Sequence, residues 1–369
     1  MRLALFIGHH KAGSSSLQNF LSRNWLALAR AGILYPSVET EGHAARLAAA
    51  LRGADDAPGQ PQSFNVREAH NALAFKMLAE CGKGPAPSWH PMLPHSRQMF
   101  AAIANQIAAL APRATVLCSE VMANFAAADP RLIETMRDAF PGARARILCT
   151  LRRPDDYLVS WHAQRLKFGH KLAPLGAGGL EPYLSSIHFD YRLMLEGWTR
   201  VFAEAEFALR DHRQVMAAGG SIDDFVAQSG LDFPPGLFRP GDINPSIPAA
   251  LAEVARRGNH ALAPEAAADL RAALLAVRDH RGVPPSREVE MFGPEARTRM
   301  AREFAPINAW LGALAGREAF FDDAEAIART RPIPEAEAAR AALDAVRAAA
   351  ARRTSTPEAR EFLLSLRLD

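Results

Sequence analysis

Apolar residues follow two rhythms along this chain. Continuous runs occur at Leu3-Ala4-Leu5-Phe6-Ile7, Thr115-Val116-Leu117-Cys118 and Ala145-Arg146-Ile147-Leu148-Cys149-Thr150-Leu151. They lack the alternation of a half-exposed strand and predict strands buried on both faces, as in a parallel sheet. Between them the spacing turns helical and predicts helices over 14–31, 41–53, 66–81, 96–111 and 130–140. A short strand is expected at Ile33-Leu34-Tyr35, with Gly32 stopping the helix before it. Residues 54–65 and Gly82–His95, the latter with four prolines, read as loops. Four glycines and Pro174 between Gly169 and Leu180 predict a flap or a linker. From Pro248 onward Ala-rich helices dominate, and the Arg and Glu from Glu335 to Arg360 read as solvated helix faces.

The first run leads into Gly8-His9-His10-Lys11-Ala12-Gly13-Ser14-Ser15-Ser16, and Leu17-Gln18-Asn19-Phe20-Leu21 follows in helical spacing. N–H groups at a helix start have no intrahelical partner, and the dipole adds positive charge there. A glycine-bracketed turn at that point is an anion cradle, with Lys11 adding a full charge. Gly8 and Gly13 keep the spacing of a Walker loop, but Ser14 holds the lysine position and the lysine lies three places earlier. The loop is phosphate-binding in form and differs from that of an ordinary ATPase or kinase.

A second strand-to-helix junction follows the run ending at Leu151: Arg152-Arg153-Pro154-Asp155-Asp156, then Tyr157 to Trp161. Pro154 suits a first helical position and the two aspartates suit the positive helix end. A guanidinium fork at Arg152 and the hydroxyl of Ser160 offer a phosphate site. Arg153 reads as a solvated surface arginine.

Together the two motifs resemble those of sulfotransferases that use PAPS (3′-phosphoadenosine 5′-phosphosulfate). The loop is similar to the family's 5′-phosphosulfate loop, with Ala12 where a hydroxyl is common. Arg152, Pro154 and Ser160 match its 3′-phosphate motif. Weaker likenesses run through Phe189 to Phe202, Ser221 to Leu231, Ile243-Asn244-Pro245-Ser246 and Phe304 to Phe321, extending the resemblance to about residue 322. It implies an α/β, P-loop-like three-layer fold with a central, mostly parallel sheet flanked by helices, plus a helical C-terminal region. The expected layout is one domain over 1–322, with a helical acceptor-side insertion at about 40–112 and a helical part from about 248, followed by peripheral helices over 323–369.

On that resemblance the chain is expected to move a sulfuryl group from PAPS to a hydroxyl or amine, with PAP (3′-phosphoadenosine 5′-phosphate) as product and a carbohydrate or glycolipid as acceptor. Gly8, Lys11, Gly13, Ser14, Ser15, Ser16, Gln18, Arg152 and Ser160 are the expected nucleotide contacts. Lys11 is assigned to the leaving phosphate, because preorganised charge and N–H groups can stabilise it. Glu120 follows the run ending at Cys118 and is the candidate base, with His10 next. Its bland alternative is a capping or ion-paired glutamate. His162 reads as structural or as part of an acceptor pocket. Trp89, Trp161 and Tyr191 are core or stacking aromatics without an assigned role. The competing readings are a P-loop nucleotide kinase, disfavoured by Ser14, and a non-catalytic protein that binds PAP or PAPS.

Composition limits the classes further. Net charge is +3 in 369 residues, which does not indicate a nucleic-acid binder. No apolar run reaches the length of a transmembrane span, and the apolar start is broken by His9-His10-Lys11, too early for a signal peptide. Cys81, Cys118 and Cys149 form no disulfide framework, and the twelve histidines show no metal-binding spacing. A cytoplasmic protein without a metal is expected. Nothing in the sequence fixes the oligomeric state.

Overall fold

The computed structural model describes residues 1–53, 62–241 and 245–368. The part of the predicted 54–65 loop at 54–61, and Ile243 and Asn244, lie outside them. The chain divides into two compact units, each assembled from three segments. The first comprises Met1–Arg152, Tyr191–Ile243 and Leu311–Phe320; the second comprises Arg153–Asp190, Asn244–Trp310 and Phe321–Asp369.

The first unit is built on a five-stranded sheet: β1 (Arg2–Phe6), β2 (Ile33–Leu34), β3 (Ala114–Cys118), β4 (Arg144–Leu151) and β5 (Glu206–Asp211). Their order is β2-β3-β1-β4-β5 and all their pairings are parallel. Leu5 lies opposite Leu117 on one side and Ile147 on the other. Leu3 to Ile7 and all of β3 are buried, so the uninterrupted apolar runs reflect strands covered on both faces. The helices of this part before β4 are α1 (Ser14–Arg23), α2 (Trp25–Arg30), α3 (Thr40–Arg52), α4 (Phe64–Arg67), α5 (Ala69–Glu80), α6 (Ser96–Leu110), α7 (Phe125–Ala128) and α8 (Arg131–Asp138). Leu17, Phe20 and Leu21 of α1 share one core cluster with Phe6, Val116, Leu148, Phe225 and Leu231. A second layer includes Trp198 from the helix Arg192–Val201, stacked at 6.2 Å on Phe125 and 5.7 Å from Phe202.

Two of the expected helices are split. The helix expected over 14–31 breaks at Asn24, whose side-chain Nδ2 donates to the carbonyls of Phe20 (2.7 Å) and Phe238 (2.8 Å) while its Oδ1 accepts the Phe238 N–H. An amide satisfying backbone groups in this way replaces helix continuity with a tertiary anchor. The helix expected over 66–81 is divided at Glu68 into α4 and α5.

The second unit carries α9 (Pro154–Lys167), the helices Ala249–Ala261, Pro264–Ala276, Glu335–Ala351 and Pro357–Ser365, and a two-stranded parallel pair, β6 (Val289–Glu290) and β7 (Ile333–Pro334). The glycine-rich segment after Pro174 is a single packed turn. Leu175 is buried, and a Cβ on Gly176 would lie 3.2 Å from the carbonyls of Met291 and Phe292.

Arg153 is not a solvated arginine. It holds Asp155 in a two-point ion pair (2.7 and 3.0 Å), faces Asp156, and donates to Asp323. Fully buried Arg297 donates to Asp155 (3.4 Å) and Glu290 (2.6 Å), and Arg331 joins Asp156 (2.6 Å). Burial works against the ionised forms here. Against it, Arg153, Arg331 and Arg297 keep the Asp155 carboxyl below its usual range, and hydrogen bonds to Arg331, Phe292, Gly293 and Arg297 do the same for Glu290. The solvated faces expected from Glu335 onward are likewise only partial. Burial, with Glu253 nearby, raises Glu335 to about 7, and an alanine-rich face of its helix is buried.

Among the described residues no helix is long and apolar enough to cross a membrane.

Candidate functional site

In an open parallel sheet, ligands bind outside the carboxyl ends of the strands where the winding direction reverses. From β1 the chain winds toward β2, and from β4 it winds toward β5 on the other side. The crevice is therefore between β1 and β4, and both sequence motifs begin there. The ladder continues past β1, with the Ile7 N–H donating to Leu148 O (3.0 Å) and the His9 N–H to Thr150 O (3.2 Å).

The loop between β1 and α1 has little steric freedom. A Cβ on Gly8 would fall 2.4 Å from the Phe6 ring. Gly13 has φ of 89°, and a Cβ there would fall 2.7 Å from Cβ of Ser221. Ser221 Oγ donates to Gly13 O at 3.0 Å, so the glycine is fixed by a residue 208 positions away. Lys11 also has positive φ, 60°, a conformation that costs an ordinary residue about 1 kcal/mol or more. α1 starts at Ser14 without a side-chain cap, and its first carbonyl partner is Gly13, which accepts from Leu17. Ser14, Ser15 and Ser16 thus form the first turn, where helix N–H groups serve no intrahelical bond.

Arg152 reaches this loop. Its Nη1 donates to Lys11 O at 3.3 Å across 141 positions of sequence, while its own carbonyl accepts the Tyr191 hydroxyl at 2.7 Å. Tyr191 is buried and packs edge-on against His9 at 5.0 Å, an anchoring role not assigned from sequence. His212, just past β5, is a further neighbour that sequence reasoning missed; burial and the Arg152 charge lower it to about 4. Ser160 is half-buried on α9 and belongs to the second unit.

Glu120 follows β3 on the turn Glu120–Asn124. Its Oε2 accepts from Gln18 Nε2 (3.0 Å), its Oε1 accepts from Asn71 Nδ2 (3.3 Å), and Ser14 adds a further hydrogen bond. Burial nevertheless dominates these donors and raises its pKa above the usual glutamate value. Gln18 is fully buried, and its Nε2 donates to the Glu120 carboxyl. His10 moves the other way: burial, then the Lys11 charge, bring it to about 4, and Nε2 lies 3.5 Å from Asn124 Nδ2. A neutral imidazole of such low basicity is a weak proton acceptor near pH 7, whereas a glutamate of raised proton affinity is better matched to that task.

The remaining candidates lie elsewhere. His162 is buried in the second unit beside the Tyr183 hydroxyl (3.2 Å), and burial lowers it to about 4. Trp161 stacks on His188 at 4.6 Å, and Trp89 is partly exposed next to Phe64. Cys118 and Cys149 are buried thiols in β3 and β4, as their strand positions predict, and Cys81 is exposed. No group of His, Cys, Asp and Glu able to hold a metal occurs among the described residues.

No family model matches the chain, and no solved structure matches it. Among curated proteins it is 31% identical over 119 residues to a protein of Archaeoglobus fulgidus described as an uncharacterized protein. The matched stretch covers 32% of this chain and 31% of that protein's length.

Proposed function

We propose that this chain is a sulfotransferase that moves a sulfuryl group from PAPS to a hydroxyl or amine, with a carbohydrate or glycolipid as acceptor. The supporting observation is the hydrogen bond from Arg152 to the carbonyl of Lys11, which links the loop after β1 to the Arg-x-Pro junction after β4 at the switch crevice. An anionic nucleotide fits the chemistry there: two cationic side chains, a helix start, and a glycine held at positive φ directly before it. In this reading the phosphate side is P-loop-like in form.

PAPS supplies an activated sulfuryl group and a 3′-phosphate. Lys11 and the N–H groups of Gly13, Ser14, Ser15 and Ser16 hold the 5′-phosphosulfate, and the Arg152 guanidinium holds the 3′-phosphate. Glu120 takes the acceptor's proton as the new oxygen–sulfur bond forms. The bridging oxygen–sulfur bond breaks, its electron pair leaves with PAP, and Lys11 stabilises that charge. The reading needs no metal. It includes a cytoplasmic setting, in keeping with three unpaired thiols.

The test is calorimetric titration with PAP, 5′-AMP and ATP, each with and without Mg²⁺. Metal-independent PAP binding, tighter than AMP by about 2 kcal/mol or more, is expected of a charge-assisted phosphate site. Preference for ATP with Mg²⁺ would favour a nucleotide kinase instead. Tight PAP binding without transfer to any acceptor would leave a binding protein, and absence of all nucleotide binding would refute the reading.

A further inference from the structure

Glu68 and Asn71 belong to none of the motifs above, yet they sit directly behind Glu120. Glu68 marks the boundary between α4 and α5, and Asn71 lies in the first turn of α5. Both are buried. The Asn71 amide nitrogen donates to both carboxyls, 3.2 Å to Glu68 Oε2 and 3.3 Å to Glu120 Oε1, which uses its two hydrogens. Its oxygen accepts from Ser119 Oγ (2.7 Å) and Gln18 Nε2 (2.9 Å).

Gln18 is oversubscribed. Its Nε2 faces Asn71 Oδ1, Glu120 Oε2 (3.0 Å) and the Cys118 carbonyl (3.2 Å), three acceptors for two hydrogens. The opposite amide orientation would set an oxygen against three oxygens, so the donor orientation is fixed and its supply is short. A charged Glu120 is therefore held by shared donors, with a second carboxyl on the far side of the same amide.

The charged and titratable groups around this pair come from every neighbouring element. Arg67 pairs with Glu68 at 2.6 Å. Arg46 on α3 lies over the Tyr35 ring (5.6 Å), and Tyr35 packs on His70. His70 is neutral, lowered by burial to about 3, and its ring nitrogens bond the Pro36 carbonyl and the Cys118 N–H. The buried Cys118 thiol and, beyond Asn124, His10 and Lys11 complete the surroundings.

We propose that Glu68 and Asn71 are positioning residues that set the proton affinity of Glu120. Asn71 orients the carboxyl and favours its charged form. Glu68 shares the same amide and the two carboxylates repel each other, so that burial and the Glu120 charge raise Glu68 in turn. The balance keeps Glu120 able both to take a proton and to release it. This inference rests on Glu120 being the base.

The experiment is a carbon-13 NMR titration of the glutamate carboxyls in the full chain, with Glu120→Gln and Glu68→Gln assigning the two signals. In the unaltered protein the pair should titrate in two coupled steps. Glu68→Gln should lower the Glu120 midpoint by about one pH unit, since it removes a like charge. Asn71→Ala should raise the midpoint, since it removes a donor to the charged form. The acid limb of the pH–rate profile for transfer should move with the midpoint in each variant. Independent single-step curves in the unaltered protein would overturn the proposal even if both variants failed to fold. So would an unmoved Glu120 midpoint in folded Glu68→Gln. Moved midpoints with an unmoved acid limb would remove Glu120 and its partners from the reaction, while PAP binding would separately decide the sulfotransferase reading.

Discussion

Arg152 and Arg153 follow one another after β4, and their surroundings are opposite in kind. Arg153 is enclosed by the carboxylates of Asp155, Asp156 and Asp323, in a knot where Arg297 and Arg331 also balance Asp155. Arg152 lies at a sheet edge where its Nη1 donates to the carbonyl of Lys11 and where half-buried Glu120 and buried Glu68 carry raised pKa values. The carboxyls of Asp155 and Glu290 in the knot are shifted down, because cations and N–H donors outweigh burial. Those of the edge are shifted up, because burial outweighs too few donors. The knot pairs opposite charges with one another, whereas the edge holds polar groups against their ionisation preferences, as sites tuned for proton transfer do.

The sharpest way to break this contrast is Arg297→Met. Removing one partner of a buried ion network leaves Asp155 and Glu290 uncompensated and should cost about 3–5 kcal/mol of stability. Denaturant melts measure that loss, and PAP affinity of the folded protein should be unchanged. A loss below about 1 kcal/mol would mean the knot is not structural. Arg152→Ala is the converse. It should remove about 2 kcal/mol of the preference for PAP over 5′-AMP, roughly thirtyfold, with little change in the melt. Unchanged discrimination in calorimetry would place the 3′-phosphate elsewhere.

The smallest effect is a difference in pH response. A carboxyl whose folded pKa is raised contributes stability below its unfolded pKa near 4.5, and that contribution is lost as pH rises through the folded value. Glu120→Gln should therefore raise the thermal midpoint at pH 8 relative to the unaltered protein and change it little near pH 4, while abolishing transfer. For Asp155 and Glu290 the sign reverses: their contribution is present at neutral pH and lost as pH falls through their depressed folded values. A Glu120→Gln protein less stable at pH 8 would show that the edge is a structural hydrogen-bond cluster instead.

Much of this edge was legible in the sequence. The apolar runs located β1, β3 and β4, and the glycine spacing marked a loop whose Gly8 and Gly13 have no room for a Cβ. Glu120 was visible as a carboxylate at the end of a strand. What was hidden depends on partners far along the chain. Arg153 looks like Arg152 until Asp323, 170 positions on, is brought to it. Asn24 breaks a good helical pattern because Phe238, 214 positions away, supplies backbone groups for it. Asn71 reads as one polar position on a helix, and only folding sets it against Gln18, Ser119, Glu68 and Glu120. Hydrophobic periodicity records which side of an element is covered, and it carries no information about which polar groups meet under the cover.

Each unit is threaded from three separate stretches of chain, and this has a consequence for synthesis. When the ribosome has delivered β4, one side of that strand still awaits β5, more than fifty residues later. Until then a mostly apolar strand has an open hydrogen-bonding edge, the kind that pairs with other chains. At roughly 5–20 residues per second the exposure lasts several seconds, and the stretch 311–320 arrives later still. A nascent chain of this kind is a natural client for chaperones. Cutting the gene at any single point would leave both units incomplete or one of them without a segment, so fragments designed as domains should aggregate rather than fold.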